Sequence, residues 1–280
     1  MRYVLYNPLS STCLEQNKLI EAMNKIDDSK SLKLVDVTKI NNAEEFLKTL
    51  DSNDDIVLCG GDGTLNKFVN KYDFSNFDKN IYLYKAGNGN DFIRDINEFK
   101  EDFVLLNPYL KNLPTVNVND IECKYINGIG FGIDGLVCVE SDKMKAEGKT
   151  DINYTTLSIK LLLGKFKKVN AKVVVDGKEY NYKNVFLASA MNGKYYGGGM
   201  KVAPAQDRMS DHVTVCIWHD LNKINGLMLF PKIFKGEHVK KTKKVTILTG
   251  KHVSVTFDKP TALQIDGESI DKVTHYEVNK

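Results

Sequence analysis

From residue 2 to residue 84 the chain alternates short apolar runs with stretches of helical spacing, and this constrains its fold more than any other feature. RYVLY (2–6) reads as a strand, and Leu19, Ile20, Met23 and Ile26 then recur at helical spacing. KLVDV (33–37) reads as a second strand, and Asn41 followed by Glu44 makes a helix start before AEEFLKTL. DIVLC (55–59) is nearly all apolar, as in a buried parallel sheet, and a helical run follows Thr64. NIYLY (80–84) is the fourth strand. Such alternation means βαβ units and a parallel sheet. Right-handed crossovers place the loops after the strands on one edge, where ligands of such sheets bind.

After about Pro114 the texture changes. TVNVNDIECKYINGIGFGID is strand-rich, one helical stretch follows over roughly 135–164, and short β-rich runs separated by turn residues fill the rest. This predicts an α/β nucleotide-binding domain with a parallel sheet over 1–114 and a β-rich, sandwich-like domain over 115–280. The last residues are free to pack back on the first domain. A chain of 280 residues is long enough for two domains.

A hydrophobic content of 42% and a charged content of 27% are those of an ordinary soluble protein. The net charge of +3 is too small to argue for nucleic acid, and no nucleic-acid partner is expected. Lysines cluster at 165–168 and again at 232–244. A solvated surface is the plain reading; attraction to an anionic membrane surface is the sharper one, each lysine there contributing about 1 kcal/mol. The five cysteines form no CxxC pair and mostly sit in apolar runs, which argues for a reducing compartment without disulfides or zinc. The N-terminal residues lack a signal-peptide pattern, and no apolar stretch approaches the roughly 20 residues that span a bilayer. A cytoplasmic protein is expected, with any lipid contact made peripherally from the inner membrane face.

Two turns carry the chemistry. In GGDGT, Gly60, Gly61 and Gly63 lack Cβ atoms, so backbone can approach a ligand closely, and the helix beginning near Leu65 offers free N–H groups and a positive dipole end. Asp62 would face phosphates only through a cation or a bridging water. A strand–helix turn with glycines for geometry alone is the competing reading. KAGNGNDFIR (85–94) weakens it, because Gly87, Asn88, Gly89, Asn90 and Asp91 pack into a second turn after an apolar strand. In a parallel sheet both turns end on the same edge as Asn7, which closes the first strand, and three converging polar loops favour a nucleotide site.

NPxS, GGDGTLNxxVN, GNGNDFxR, GFGIDG (130–135), MNGKYYGGGMKVAP (191–204) and IDGE (265–268), in that order, resemble the soluble diacylglycerol-kinase-type lipid kinases. That superfamily also includes sphingosine and ceramide kinases and, more distantly, NAD kinases. The resemblance implies an N-terminal nucleotide domain, a C-terminal β-rich domain and an active site in the cleft between them. It implies transfer of the ATP γ-phosphoryl group to a lipid hydroxyl such as that of diacylglycerol, with Mg2+. Asn7, the Gly60–Thr64 loop and the Gly87–Asp91 loop would then hold ATP. Asp62 and Asp91 would help place phosphates and magnesium, and Arg94 would neutralise phosphate charge. Asp-Gly between β runs is a hairpin signal at both 176–177 and 266–267. Only the second matches the family's DGE motif, which makes Asp266 the candidate general base with Glu268 in support. APAQDRMSDHVTV (203–215) resembles a segment with a structural magnesium, and position by position the ligands are the Arg208 carbonyl, the Asp211 carboxylate and the Val213 carbonyl. A plain turn at Asp211 is the alternative.

Departures from the family pattern are local. Lys85 stands where proline is usual, Asn88 where threonine is usual, and His212 where glycine is usual. Ser11 and Thr12 follow Ser10 where Gly-Lys is usual, so one expected phosphate-contacting lysine is missing. An NAD kinase shares GGDGT, but its Asn-Glu pair is absent after residue 64. A non-catalytic nucleotide- or lipid-binding homologue is the other alternative, against which Asp62, Asp91, Asp266 and Glu268 are all retained. The oligomeric state, a homodimer included, is open.

Overall fold

The computed structural model describes residues 1–8, 20–21, 30–40, 43–72, 74, 77–87, 89–149 and 152–280. The chain divides into two compact units, Met1–Lys111 and Asn112–Lys280.

The first unit is built on one sheet of β1 (Arg2–Tyr6), β2 (Leu32–Asp36), β3 (Asp55–Gly60), β4 (Ile81–Lys85) and β5 (Phe103–Leu105), in the order β2-β1-β3-β4-β5. The first four run parallel, in the register Leu34–Val4–Val57–Tyr82, and β5 closes the edge antiparallel to β4. β3 is buried along its whole length, as its unbroken apolar run requires. Among the described residues the unit also holds helices α1 (Ala43–Lys48), α2 (Asp62–Lys71), α3 (Asp91–Asn97) and α4 (Asn107–Leu110). The helix read at Leu19–Ile26, Ile20 apart, and the start at Asn41 lie outside the described residues.

The second unit is a β-sandwich-like assembly. It contains β6 (Thr115–Val118), β7 (Ile121–Lys124), β8 (Gly128–Phe131), β9 (Val169–Val175), β10 (Lys178–Val185), β11 (Leu187–Met191), β12 (Val213–Trp218), β13 (Val245–Gly250), β14 (His252–Ile265) and β15 (Glu268–Asn279). The path β13-β12-β11-β8-β14-β15-β6-β7 is joined by β9, which pairs with both β14 and β10. Every one of these pairings is antiparallel. The interior is filled from the inward faces; Phe131 stacks on Phe257 at 3.8 Å and meets the buried Tyr276 edge-on. Both Asp-Gly pairs form hairpins with positive φ at both residues, 47° and 80° at Asp176-Gly177, 47° and 95° at Asp266-Gly267. That is the geometry a two-residue type I′ loop demands.

The helical stretch read over 135–164 is two helices, α5 (Ile133–Ala146) and α6 (Tyr154–Leu163). Gly148, at φ +85°, ends α5: its N–H reaches the Lys145 carbonyl and the Lys149 N–H reaches Met144, the glycine-terminated helix end. A third helix, α7 (Lys223–Ile233), was not expected among the β runs; the Asn222 side chain caps it by accepting from the Asn225 N–H at 2.8 Å. The four described cysteines are free thiols, and no helix among the described residues is long and apolar enough to cross a membrane.

Candidate active site

In the first unit the ends of β3 and β4 meet backbone to backbone. A Cβ on Gly87 would lie 2.6 Å from the Gly61 Cα, and a Cβ on Gly60 would strike the Thr64 side chain at 2.4 Å. Packing therefore explains Gly60, Gly61 and Gly87. It does not explain Gly63, which sits in the first turn of α2, where a Cβ would meet nothing within 4 Å. Glycine there costs a helix about 1 kcal/mol relative to alanine, so its bareness serves the space in front of it. That space is a cavity of about 600 Å³.

Of the residues expected there, Asn7, Gly61, Asp62, Gly63, Thr64, Gly87 and Gly89 line the cavity. Gly60, Asn90, Asp91 and Arg94 are not part of the lining. Asn90, in the left-handed region at φ 50°, precedes α3 and donates from its side-chain amide to the Gly87 carbonyl. Its Oδ1 is buried and accepts no hydrogen bond among the described residues. Arg94 lies 3.7 Å from the Asp91 carboxylate and stacks over the Phe99 ring. Asn88 lies outside the described residues.

Asp62 has a part that its motif did not reveal. Its two oxygens accept from the N–H groups of Asp91 (2.8 Å) and Phe92 (2.9 Å), so it caps α3 from the neighbouring loop and locks the two glycine turns together. Sequence reasoning also missed Lys67 and Lys71, which line the cavity from α2. Their spacing from Gly63, four and eight residues, puts all three on one helix face and was the available signal. Bare backbone, a helix N-terminus and two ammonium groups suit an anionic ligand.

In the second unit the loop 126–128 is the hub. The Asp266 carboxylate accepts from three of its N–H groups, those of Ile126 (2.6 Å), Asn127 (2.9 Å) and Gly128 (3.0 Å). From the other side the Arg208 guanidinium donates to the Ile126 carbonyl and the Asn127 Oδ1, both at 3.0 Å, and Asn192 donates to the Ile126 carbonyl. Asp266 and Arg208, far apart in sequence, thus hold the same loop. Glu268 opens β15 opposite Ile265 and is exposed. The GFGIDG and MNGKYYGGG segments meet at Asp134, a buried carboxylate that accepts from the Tyr196 hydroxyl and the Ser189 hydroxyl. Burial pushes both the Asp134 carboxyl and the Tyr196 hydroxyl up.

Of the residues that resemble a structural magnesium segment, Asp211 and the Arg208 carbonyl each lie near a lysine ammonium. Asp211 is 69% exposed and is paired with the Lys251 ammonium at 2.6 Å. The Lys280 ammonium lies 3.5 Å from the Arg208 carbonyl and donates to the Asn112 carbonyl and Asn192 Oδ1, both at 2.6 Å. Val213 begins β12, opposite Gly250 of β13. Among the described residues no group of three His, Cys, Asp or Glu side chains is placed to hold a metal ion. Lys280→Met leaves those acceptors unpaired and is expected to cost about 1–3 kcal/mol of stability, whereas EDTA is expected to leave the melting temperature unchanged. Thermal melts of both preparations check this.

The comparisons with known proteins follow the same division. The model of the diacylglycerol kinase catalytic domain matches residues 2–110, and that of the YegS C-terminal NAD kinase beta sandwich-like domain matches 127–277. A protein of Staphylococcus carnosus, provisionally named a lipid kinase, is 23% identical over 265 residues, 90% of this chain and 83% of its own. A diacylglycerol kinase of Mycobacterium tuberculosis is 24% identical over 194 residues, 66% of this chain and 62% of its own. The crystal structure of a diacylglycerol kinase from Bacillus anthracis strain Sterne superimposes with a TM-score of 0.67 at 18% identity, over 100% of this chain and 94% of that one, which is a likeness of fold. With both units matched in order by the two halves of one architecture, the chain belongs to the diacylglycerol-kinase-type lipid kinase family.

Proposed function

We propose that this chain is an ATP-dependent lipid kinase that phosphorylates the hydroxyl of a lipid alcohol such as diacylglycerol. The cavity of the first unit carries the reading: it combines Gly63, kept bare without a packing reason, with two lysines on the same helix face. In this account the α2 N-terminus and the glycine backbone bind the phosphates, and Lys67 and Lys71 neutralise their charge. Asn7, Thr64 and Asn90 orient the nucleotide by hydrogen bonds. ATP, when bound, supplies the γ-phosphoryl group, and Mg2+ accompanies it. Asp62 keeps the two turns together and, with Asp91, would help place the phosphates and magnesium. Asp266 takes the proton of the lipid hydroxyl, held in orientation by the 126–128 backbone.

Label from γ-phosphate-labelled ATP is expected in phosphatidic acid when diacylglycerol in detergent micelles is the acceptor, with none in NAD offered instead. Labelled NADP with unlabelled lipid would replace this reading by the NAD kinase one. Gly63→Ala separates fold from function within the site. It is expected to stabilise α2 by up to about 1 kcal/mol and to weaken ATP binding at least tenfold, read by calorimetry; unchanged binding would remove Gly63 from the site.

A further inference from the structure

Two successive peptide units reach the Asp266 carboxylate, and both are loaded on their far side. The Asn127 N–H donates to Asp266 Oδ1 at 2.9 Å. The carbonyl of that same peptide unit belongs to Ile126, and it accepts from the Arg208 guanidinium and from the Asn192 side-chain amide, both at 3.0 Å. The Gly128 N–H donates to Oδ1 at 3.0 Å. The carbonyl of its unit belongs to Asn127 and accepts from the backbone N–H groups of Asn192 (2.9 Å) and Gly193 (3.0 Å). Each unit thus receives two donors at its oxygen and gives its hydrogen to the carboxylate. The Asp266 N–H closes the arrangement by donating to the Gly128 carbonyl at 3.1 Å.

Hydrogen bonds chained through a peptide polarise one another, so a donor at the carbonyl makes the N–H across the amide a stronger donor. A charged donor does this most, because charge-assisted bonds are the strong ones. Arg208 is such a donor. Its other terminal nitrogen donates to Asn127 Oδ1 at 3.0 Å, so the planar fork fixes residues 126 and 127 together. A second cation stands behind Asn192: the Lys280 ammonium donates to Asn192 Oδ1 at 2.6 Å, and the nitrogen of that amide donates to the Ile126 carbonyl. Arg208, Ile126, Asn127 and Asn192 are all buried, so these bonds act at low dielectric.

We infer that Arg208 is a positioning residue for Asp266: through the 126–127 peptide unit its charge strengthens and aims the N–H that holds the carboxylate. This rests on the function proposed above, in which Asp266 takes the proton of the lipid hydroxyl. Without the guanidinium the loop keeps its N–H groups and loses the fork that sets their direction. A displacement of about 1 Å at a catalytic group costs on the order of a hundredfold in rate.

The test is steady-state phosphorylation of diacylglycerol in detergent micelles by wild type, Arg208→Lys, Arg208→Gln and Arg208→Met, below the melting transition of each. Lysine keeps the charge without the fork, glutamine keeps a donor without the charge, and methionine keeps neither. The expected kcat falls in that order, by at least about tenfold for Arg208→Met, while KM for ATP and for diacylglycerol stays within about twofold. In 15N-labelled protein the Asn127 amide proton is expected to move upfield in Arg208→Gln and Arg208→Met, and less in Arg208→Lys. If Arg208→Met does not fold, the lysine and glutamine variants carry the comparison. An unchanged kcat in Arg208→Gln, a kcat that follows melting temperature rather than charge, a loss confined to KM, or an unmoved Asn127 resonance overturns the inference. If wild type labels no lipid, the kinase reading falls and takes this inference with it; if wild type is active and Arg208→Gln matches it, the inference alone falls.

Discussion

Asp266→Asn is expected to lower lipid phosphorylation about a thousandfold, the scale of a lost general base. The variant also has a structural cost. The carboxylate accepts N–H donors on both oxygens, whereas an asparagine offers one oxygen and an NH2 group that would face a donor. One unsatisfied backbone group costs about 1–3 kcal/mol, so a drop in activity alone would not identify the base. The molecule supplies its own control. Asp176 heads an equivalent Asp-Gly hairpin and accepts from the N–H groups of Lys251 (3.0 Å) and His252 (2.9 Å). Both bonds fall on Oδ1, an oxygen that asparagine retains, so Asp176→Asn is expected to lose less stability than Asp266→Asn and to keep its phosphorylation rate. Melting curves and initial rates on both variants separate the two roles; equal losses of activity would show that Asp266 acts only as a clamp.

Lys67→Met/Lys71→Met should weaken ATP binding by at least about a hundredfold, since a charge-assisted contact to each ammonium is worth about 1.5–3 kcal/mol. The effect should follow phosphate charge: largest for ATP, smaller for ADP, slight for AMP and absent for adenosine. Both side chains are on the exposed side of α2, so the fold should survive. Calorimetric titrations with the four ligands read this directly. A loss equal for ATP and adenosine would place the lysines at the base rather than the phosphates, and no loss would move the phosphate end away from α2. The sequence Ser10-Ser11-Thr12 contains no cation of its own.

The strands were legible because burial writes itself into sequence. β3 reads as a solid apolar run, and the parallel strands fall within a residue or two of their sequence boundaries. The glycine turns were legible because backbone approach excludes side chains, as the Gly61–Gly87 contact demonstrates. Less was visible where a residue serves a distant partner. Asp62 reads as a ligand-facing carboxylate until the α3 N-terminus is placed against it, nearly thirty residues later. Arg208 was singled out for its carbonyl, yet its guanidinium holds the Ile126 and Asn127 oxygens, a long-range pairing no spacing encodes. The break between α5 and α6 was available in Gly148 and was outweighed by the apolar pattern on either side. α7 was lost among β runs because its buried positions, Leu229 and Ile233, are one turn apart in an otherwise apolar string.

The most direct test of the central claim is transfer of labelled γ-phosphate from ATP to a mixed lipid extract with Mg2+, run with wild type, Asp266→Asn and Asp176→Asn side by side. A labelled lipid from wild type and Asp176→Asn, absent with Asp266→Asn, is the predicted result, and its chromatographic identity names the substrate. No labelled lipid from wild type, or equal label from all three, would contradict the account.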